Sequence, residues 1–237
     1  MNTKPNYSIK SKKSFGIIII LLFLILLALF VISLVWWALA ITIIFGLLAL
    51  NALLGIVLAP TMPRAKRKSC RLIAQALKDK ADGMVLDVGA GAGILTVHLA
   101  KAGFRPTGVD IKEDSLAQAR ENAKIEGVEA AFRVNDGSSL EWPDGSFEAV
   151  TSLNLLHETE DPKVVLAETH RVLKPGGIVA MGDFRKSPAV LSIFWVGIFK
   201  FLSRKKLIRL LQEVGFEKIE ISKATIFHHL IVCRKRR

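Results

Sequence analysis

A nine-residue stretch, Val85 to Gly93, constrains the fold most strongly because it joins an apolar run to three alternating glycines, in the order VLDVGAGAG. Apolar residues at helical spacing follow it, so the stretch predicts a strand, a tight turn and the start of a helix. Glycines suit such a turn because they accept positive φ angles and let a ligand approach the backbone closely. The free N–H groups of the helix that follows suit a carboxylate or phosphate.

The spacing of the glycines argues against a dinucleotide site. The dinucleotide fingerprint G-x-G-x-x-G needs a glycine at position 94, which is Ile94, and the third glycine is Gly93 instead. In a dinucleotide site the negative charge of Asp87 would lie close to the negative pyrophosphate, which is unfavourable. A carboxylate at this position suits a cationic ligand instead. Asp110 ends the stretch TGVD and follows Gly89, the first glycine, by about 20 residues. In α/β nucleotide sites an acid at this distance binds the ribose. A strand-to-helix turn without a ligand remains the alternative.

Strand and helix patterns alternate along the rest of the chain. Helices are predicted over 66–81, 94–102, 113–124, 162–173 and 204–214, and strands over 84–88, 107–110, 130–134, 147–153, 178–183, 216–221 and 225–233. The final two strands form a pair, one of them antiparallel. We therefore predict an α/β fold with a Rossmann-like, doubly wound, mostly parallel seven-stranded sheet, whose ligands bind at the carboxyl ends of the strands.

The N-terminal part is apolar and predicts a membrane anchor. Phe15 to Ala59 is 45 residues without a charged side chain, about twice the length of a single span. We predict a transmembrane helical hairpin, with helices over 15–35 and 38–59 and Trp36 and Trp37 at the far interface. One long tilted span followed by an interfacial helix is an alternative. A cleaved signal peptide would be much shorter, and a buried soluble hairpin would be less apolar.

Basic residues flank the apolar run on both sides, which predicts two spans with both flanks in the cytoplasm. They are Lys4, Lys10, Lys12, Lys13, Arg64, Lys66, Arg67, Lys68 and Arg71. The protein is therefore expected in the cell membrane, with the downstream domain and both termini cytoplasmic. The net charge of +12 lies mostly in these flanks and the final four residues, which favours anionic lipid headgroups over nucleic acid. A solvated basic surface without a partner is the alternative.

Five motifs within about 100 residues, from Val85 to Phe184, follow one family order: VLDVGAGAG, TGVDI, VNDGSSLEWPDGSFEAV, LLHETEDP and RVLKPGG. This stretch resembles the class I S-adenosylmethionine-dependent methyltransferases, and in particular the type 11 domain of the ubiquinone and menaquinone C-methyltransferases. The resemblance implies a methyltransferase with S-adenosylmethionine as its cofactor and no metal. Together with the apolar run and its basic flanks, it divides the chain into a basic tail (1–14), the anchor (15–59), a basic linker with a lead-in helix (60–83) and the methyltransferase domain (84–237).

The resemblance also implies a cofactor site. Asp87, Gly89 and Gly91 would line the methionine portion, Asp110 the ribose, and Ile111 one face of the adenine. Asp136 would accept a hydrogen bond from the adenine amino group, with Gly137 or Ser138 supplying a backbone contact; a turn residue in the sequence N-D-G is the alternative for Asp136. The same motifs contribute four further cofactor-binding residues, Ala90, Gly93, Asn135 and Asn154.

The loop after the fourth strand offers His157 and Glu158 as candidate catalytic residues. His157 could take a proton from an acceptor near neutral pH, and a structural histidine is the alternative. The loop lacks the N-P-P-Y signature of adenine and glutamine amino methyltransferases, which argues against nucleic-acid bases as acceptors. The apolar segment 189–202 would be a substrate lid, an interfacial helix or part of the core.

Together these features predict a membrane-anchored methyltransferase acting on a small lipophilic acceptor, such as a quinone precursor or a lipid. The expected partners are the lipid bilayer and this acceptor, with no nucleic acid. Methylation of a soluble molecule or thiol is one alternative. A cofactor-binding regulator without transfer activity is another.

Overall fold

The computed structural model describes residues 8–78, 83–193 and 201–237. The chain divides into two compact units, Met1–Leu53 and Leu54–Arg237. The described part of the first unit, from Ser8 onward, belongs to one long helix. The second holds the sheet, its flanking helices and the predicted site.

The helices of the described residues are α1 (Ser8–Leu58), α2 (Met62–Ala76), α3 (Ile94–Lys101), α4 (Glu113–Ile125), α5 (Pro162–Val172), α6 (Pro188–Ile193) and α7 (Arg204–Val214), with a 3-10 turn at Ala59–Thr61. The strands are β1 (Met84–Val88), β2 (Arg105–Asp110), β3 (Ala131–Val134), β4 (Phe147–Leu153), β5 (Leu173–Phe184), β6 (Phe216–Lys223) and β7 (His228–Lys235). Their order in the sheet is β3-β2-β1-β4-β5-β7-β6.

The sheet confirms the predicted mostly parallel, Rossmann-like fold. β1 pairs in parallel with β2 and β4, and the pairs β2–β3 and β4–β5 are also parallel. β7 is antiparallel to both β5 and β6, so the final two strands form the predicted pair. Since the strand order reverses between β1 and β4, the carboxyl ends of these two strands border a crevice where α/β folds bind ligands.

Alternate residues of β1 pack against two different layers of the core. Leu86 packs with α5 and α7, whereas Val85 packs with α2 and α3. Both cysteines are free and buried, Cys233 in the first layer and Cys70 in the second. Burial raises the pKa of each thiol to about 12, so both stay neutral at physiological pH.

The N-terminal segment forms one continuous helix, so the predicted turn at Trp36 and Trp37 is wrong. The backbone is helical from Ser8 to Leu58 without interruption. The physical reason is local: no proline, and no polar residue that would compete for backbone hydrogen bonds, lies between Val35 and Ala38. Large apolar side chains along α1 from Ile19 to Val57 are exposed, and this segment is long and apolar enough to cross a membrane.

α2 begins earlier than predicted, at Met62 rather than at Lys66. Pro60 and Pro63 each lie in the first turn of their own element. A proline at that position costs little, because the N–H group that it lacks would have no partner within the helix. The chain therefore passes from α1 to α2 through a single 3-10 turn.

Helix α6 packs closely against the last turns of α1. A Cβ atom on Gly55 would lie 2.4 Å from the carbonyl oxygen of Ser192. Val190, Phe201 and Phe184 form a buried cluster with Phe227, and Leu58 and Met62 pack against it. The described parts of the predicted segment 189–202 therefore contribute to a core, while residues 194–200 lie outside the described residues.

Replacing Gly55 by alanine should destabilise this contact, because the added methyl group meets a backbone atom that cannot rotate away. Overpacking of this kind costs about 1–3 kcal/mol, and each kcal/mol lowers the unfolding midpoint by about 2–4 °C. The measurement is thermal unfolding of the full chain in detergent. Gly46→Ala is the matched control, since a Cβ there meets nothing within 4 Å. Equal midpoints for the two variants would contradict the close packing.

Candidate active site

The carboxyl ends of β1, β2 and β4 border a cleft of about 1080 Å³, here called the main cleft. Its volume is at the upper end of the range, roughly 300–1,000 Å³, of ligand-binding pockets. The structure brings twelve of the thirteen predicted site residues to this lining. They are Asp87, Gly89, Ala90, Gly91, Asp110, Ile111, Asn135, Asp136, Gly137, Asn154, His157 and Glu158.

The glycine turn forms one wall of the main cleft. The N–H groups of Gly89 and Ala90 both donate to the carbonyl oxygen of Val109, at 2.8 Å, which ties the turn to β2. Gly91 has a φ of +52°, and a Cβ there would meet nothing within 4 Å. At Gly91 the turn therefore presents backbone without a side chain to open space, as a closely approaching ligand requires.

Gly93 does not line the main cleft. It precedes α3 with a φ of +75°, and a Cβ there would lie 2.8 Å from the Cβ of Ala119 in α4. The physical need for glycine at this position is thus the close packing of α4 against the start of α3. Gly93 instead lines a second cavity, described below.

Asp87 lies beneath the glycine turn and is only 1% exposed. Its Oδ2 accepts a hydrogen bond of 2.6 Å from the Thr96 hydroxyl, and its Oδ1 accepts one of 3.3 Å from the Thr151 hydroxyl. Burial raises the pKa of this carboxyl to about 7, against the lowering effect of the two hydroxyls. A cationic ligand in the cleft would favour the ionised form.

Asp110 faces the main cleft with hydrogen-bonding capacity left over. Its Oδ2 accepts from the N–H of Gly91 at 2.9 Å, and its Oδ1 accepts from the N–H of Lys112 at 3.0 Å. A carboxylate has about four acceptor positions, so two of them remain for a ligand. This matches the two vicinal hydroxyls of a ribose.

Neighbouring residues carry further unused capacity. Asn135 Oδ1 and Asn154 Oδ1 are buried and have no hydrogen-bond partner among the described residues. Ile111 lines the cleft with 63% of its surface exposed, as suits a residue that a flat apolar ring would cover. Asp136 Oδ1 accepts from the N–H of Ser138 at 2.8 Å, which lowers the pKa of the Asp136 carboxyl. Asp136 is thus both a turn residue and part of the lining.

His157 is held by a carboxylate that the sequence analysis did not single out. Its Nδ1 lies 2.7 Å from Asp183 Oδ1, and the ring makes edge contacts with Phe184 and Phe201. Its Nε2 lies 3.8 Å from Glu158 Oε1. The side chain of His157 is 11% exposed and that of Glu158 is 72% exposed, so only the histidine sits in a desolvated environment.

Thr96, Thr151, Asp183 and Lys66 are the site residues that the sequence analysis missed. Asp183 could have been found, because it lies one residue before the end of β5 beside β4, and the carboxyl ends of neighbouring parallel strands meet at one edge. Lys66 lies on α2 outside any of the motifs, so no local pattern marks it as a site residue. Within the described residues, no group of three or more His, Cys, Asp or Glu side chains could hold a metal ion.

The geometry suits a nucleoside ligand with a cationic end. Asp110 offers acceptors for two ribose hydroxyls, Ile111 an apolar face, the turn bare backbone, and Asp87 a buried carboxylate. The partnerless oxygens of Asn135 and Asn154 are acceptors that such a ligand would satisfy.

Comparison with known proteins identifies the domain that surrounds the main cleft. Residues 86–181 match the family model described as a methyltransferase domain. They form a class I S-adenosylmethionine-dependent methyltransferase domain, and S-adenosylmethionine is its cofactor. A ubiquinone biosynthesis O-methyltransferase of Methylococcus capsulatus is 38% identical over 114 residues, which are 48% of this chain and 48% of that protein. The chain thus spans about half the length of the curated relatives it matches.

Solved structures show the same fold as the methyltransferase domain. An S-adenosylmethionine-dependent methyltransferase from Methanosarcina mazei has a TM-score of 0.57 at 23% identity, covering 65% of this chain and 93% of that one. Phosphoethanolamine N-methyltransferase 2 of Haemonchus contortus, solved with S-adenosylmethionine, has a TM-score of 0.59 at 18% identity, covering 70% and 53%.

Asp110→Ala should weaken cofactor binding to the methyltransferase domain at least tenfold. Each charge-assisted hydrogen bond to a ribose hydroxyl contributes about 1.5–3 kcal/mol, and about 1.4 kcal/mol corresponds to a factor of ten in affinity. Calorimetric titration with S-adenosylmethionine measures the change. Asp114→Ala, an exposed acid on the first turn of α4, is the control. Unchanged affinity in Asp110→Ala would rule out the ribose contact.

Cofactor affinity should also fall as the pH is lowered through neutrality. Asp87 has a pKa of about 7, so at pH 8 it is ionised and attracts the cationic ligand, whereas at pH 6 it is mostly protonated. We expect about a tenfold loss of affinity from pH 8 to pH 6, with proton release on binding. Asp87→Asn should bind weakly with little pH dependence over this range. A wild-type affinity that is constant from pH 8 to pH 6 would contradict the assignment.

Proposed function

We propose that this protein transfers the methyl group of S-adenosylmethionine to a hydroxyl oxygen of a lipophilic acceptor at the membrane surface. The observation that carries the proposal is the pair formed by His157 and Asp183 in the wall of the main cleft. A histidine held by a buried carboxylate is a suitable base for a hydroxyl acceptor, because the carboxylate stabilises the imidazolium that forms.

The role of His157 follows from its surroundings. Asp183 accepts a hydrogen bond from Nδ1–H, which fixes the ring and leaves Nε2 without a proton. In the proposed reaction Nε2 takes the proton of the acceptor hydroxyl while the oxygen gains the methyl group. Phe184 and Phe201 pack against the ring and keep water away from it. Glu158, which is largely exposed, adds a weaker negative charge beside Nε2.

The cofactor-binding residues orient the methyl donor. When bound, S-adenosylmethionine supplies a methyl group already activated by its positive sulfur. We assign Asp87, Ala90 and the glycine turn to its methionine end, Asp110 to the ribose and Ile111 to the adenine. Asn135, Asp136 and Gly137 would contact the adenine edge. Asn154, at the end of β4, would contact the methionine end. Holding the donor and acceptor in line supplies most of the catalysis that such a transfer needs.

The anchor supports a lipophilic acceptor. α1 exposes a continuous apolar surface, and α2, which follows it, carries Arg64, Lys66, Arg67, Lys68 and Arg71. Basic residues next to an apolar helix bind anionic headgroups and mark the cytoplasmic side, so we place the methyltransferase domain at the cytoplasmic face of the cell membrane. The relatives named as ubiquinone biosynthesis O-methyltransferases support oxygen as the accepting atom.

The test is to incubate carbonate-washed membranes containing the full chain with methyl-labelled S-adenosylmethionine and then to extract them with organic solvent. We expect label in the organic phase, in a product whose methyl group is bound to oxygen. Label only in small aqueous molecules or thiols would support a soluble acceptor instead. No label in any fraction, together with intact cofactor binding, would support a regulator without transfer activity.

His157→Ala should lower turnover about a hundredfold to ten-thousandfold, the usual contribution of a general base. Asp183→Asn should lower it too, because an amide can hold Nδ1 in the wrong protonation state. Cofactor affinity, measured by calorimetry, should stay unchanged in His157→Ala. Glu158→Gln is the comparison variant and should change turnover only a few-fold, since solvent screens its charge. Full turnover in His157→Ala would return this residue to a structural role.

A further inference from the structure

A second cavity of about 490 Å³ lies between α2, α3 and α4. It is on the face of the sheet from which the side chain of Asp87 reaches Thr96 on α3. Met62 and Pro63 line it from the first turn of α2, and Val97 and Ile125 line it from α3 and α4. Most of its exposed wall is apolar, and three polar side chains, those of His98, Asn122 and Glu126, also belong to the lining near α3 and α4. Met62 is separated from the end of α1 only by the 3-10 turn Ala59–Thr61, so one end of this cavity is close in sequence to the apolar helix.

The inner part of the second cavity carries polar atoms without partners. His228 is fully buried and lines the cavity, and its Nε2 has no hydrogen-bond partner among the described residues. Its Nδ1 lies 3.2 Å from the Ser69 hydroxyl and 3.3 Å from the Thr225 hydroxyl. Burial lowers the pKa of His228 to about 4, so the ring is neutral at pH 7. A buried polar atom of this kind usually has a partner, so its lack of one points to a ligand.

The second cavity and the main cleft share three lining residues, Lys66, Ile94 and Asn154. Lys66 brings a positive charge close to both Asp87 and His228. Burial raises the pKa of Asp87 and the charge of Lys66 opposes that rise, whereas burial lowers the pKa of His228 and the charge of Lys66 adds to that fall. Asn154 has a φ of +66°, in the left-handed region that residues other than glycine rarely adopt. Its side-chain Oδ1 is buried and has no hydrogen-bond partner among the described residues. The boundary between the two spaces is therefore polar and positively charged.

We propose that the second cavity holds the apolar chain of the acceptor, whose acidic head passes Lys66 and Asn154 into the main cleft. This inference rests on the proposed function and names the class of acceptor: an amphiphile with one apolar chain and an acidic, hydroxyl-bearing head. The apolar walls match the chain, and the ammonium of Lys66 matches the head. Arg67 adds a second positive charge to the lining.

The test uses the purified full chain in dodecyl maltoside micelles and palmitic acid carrying a diazirine near the end of its chain. After irradiation, labelled residues within Leu54–Arg237 are mapped by mass spectrometry. We expect label on α2, α3 and α4 around Met62, Val97 and Ile125. Label confined to α6 or to other parts of this unit would overturn the proposal.

Variants sharpen the test. Ile125 is 71% exposed, so Ile125→Glu should fold normally while placing a charge at the cavity. This variant should reduce labelling about tenfold, because an apolar chain bound there would remove the charge from water, which is costly. Ile226→Glu is the matched control, an exposed isoleucine outside the lining, and should label as the wild type does. Lys66→Gln should weaken labelling by the acid but not by its methyl ester. Equal labelling of all variants would overturn the proposal.

The labelling does not depend on methyl transfer, so the two proposals fail separately. Cavity labelling in a protein that methylates no lipid would refute the proposed function while leaving an amphiphile site. Methylation of lipids by Ile125→Glu with an unchanged KM would refute the second cavity as the chain site while the proposed function stands.

Discussion

The site depends on a buried carboxylate. Asp87 ends the central strand β1, beneath a turn of bare backbone, and the hydroxyls of Thr96 on α3 and Thr151 on β4 hold its two oxygens. These bonds connect β1 to α3 and to β4, beside the point where the strand order reverses. Two neutral hydroxyls only partly compensate the loss of hydration, so the carboxyl remains costly to ionise until a cation arrives. In the proposed complex, the positive charge of the cofactor would favour the ionised form of Asp87.

Much of the sheet could be predicted from the sequence because its signals are local. β1 and β4 begin and end at the predicted residues, and α7 starts after the Ser203 cap and ends before Gly215, which has positive φ. Long-range pairings could not be predicted in this way. His157 and Asp183 are 26 positions apart and meet only because β4 and β5 are neighbours, and Lys66 reaches the cleft only through the packing of α2. The turn predicted in α1 failed for another reason: an unbroken apolar run contains no local signal that would end a helix.

The cluster around Phe184 joins the end of α1 to His157. Phe184 and Phe201 contact the ring of His157, and the same two phenylalanines pack with Val190 and Phe227, against which Leu58 and Met62 lie. The residues that leave the apolar helix therefore form part of the wall behind the proposed catalytic histidine. A truncation that removes Leu58 would take away part of this wall as well as the anchor, so the anchor cannot be regarded as a separate attachment.

The position of β7 has a consequence for biosynthesis. β7 lies between β5 and β6 and pairs with both, yet it is the last of the seven strands to be translated. Until then β5 has one unpaired edge, and an open strand edge is a template for pairing with other chains. During that interval α1 has already been translated. Its exposed apolar surface would bring incomplete chains close to one another at a membrane, where their open strand edges can pair. We expect the yield of folded protein to depend on how quickly this edge is closed, and therefore on expression rate and chaperone supply.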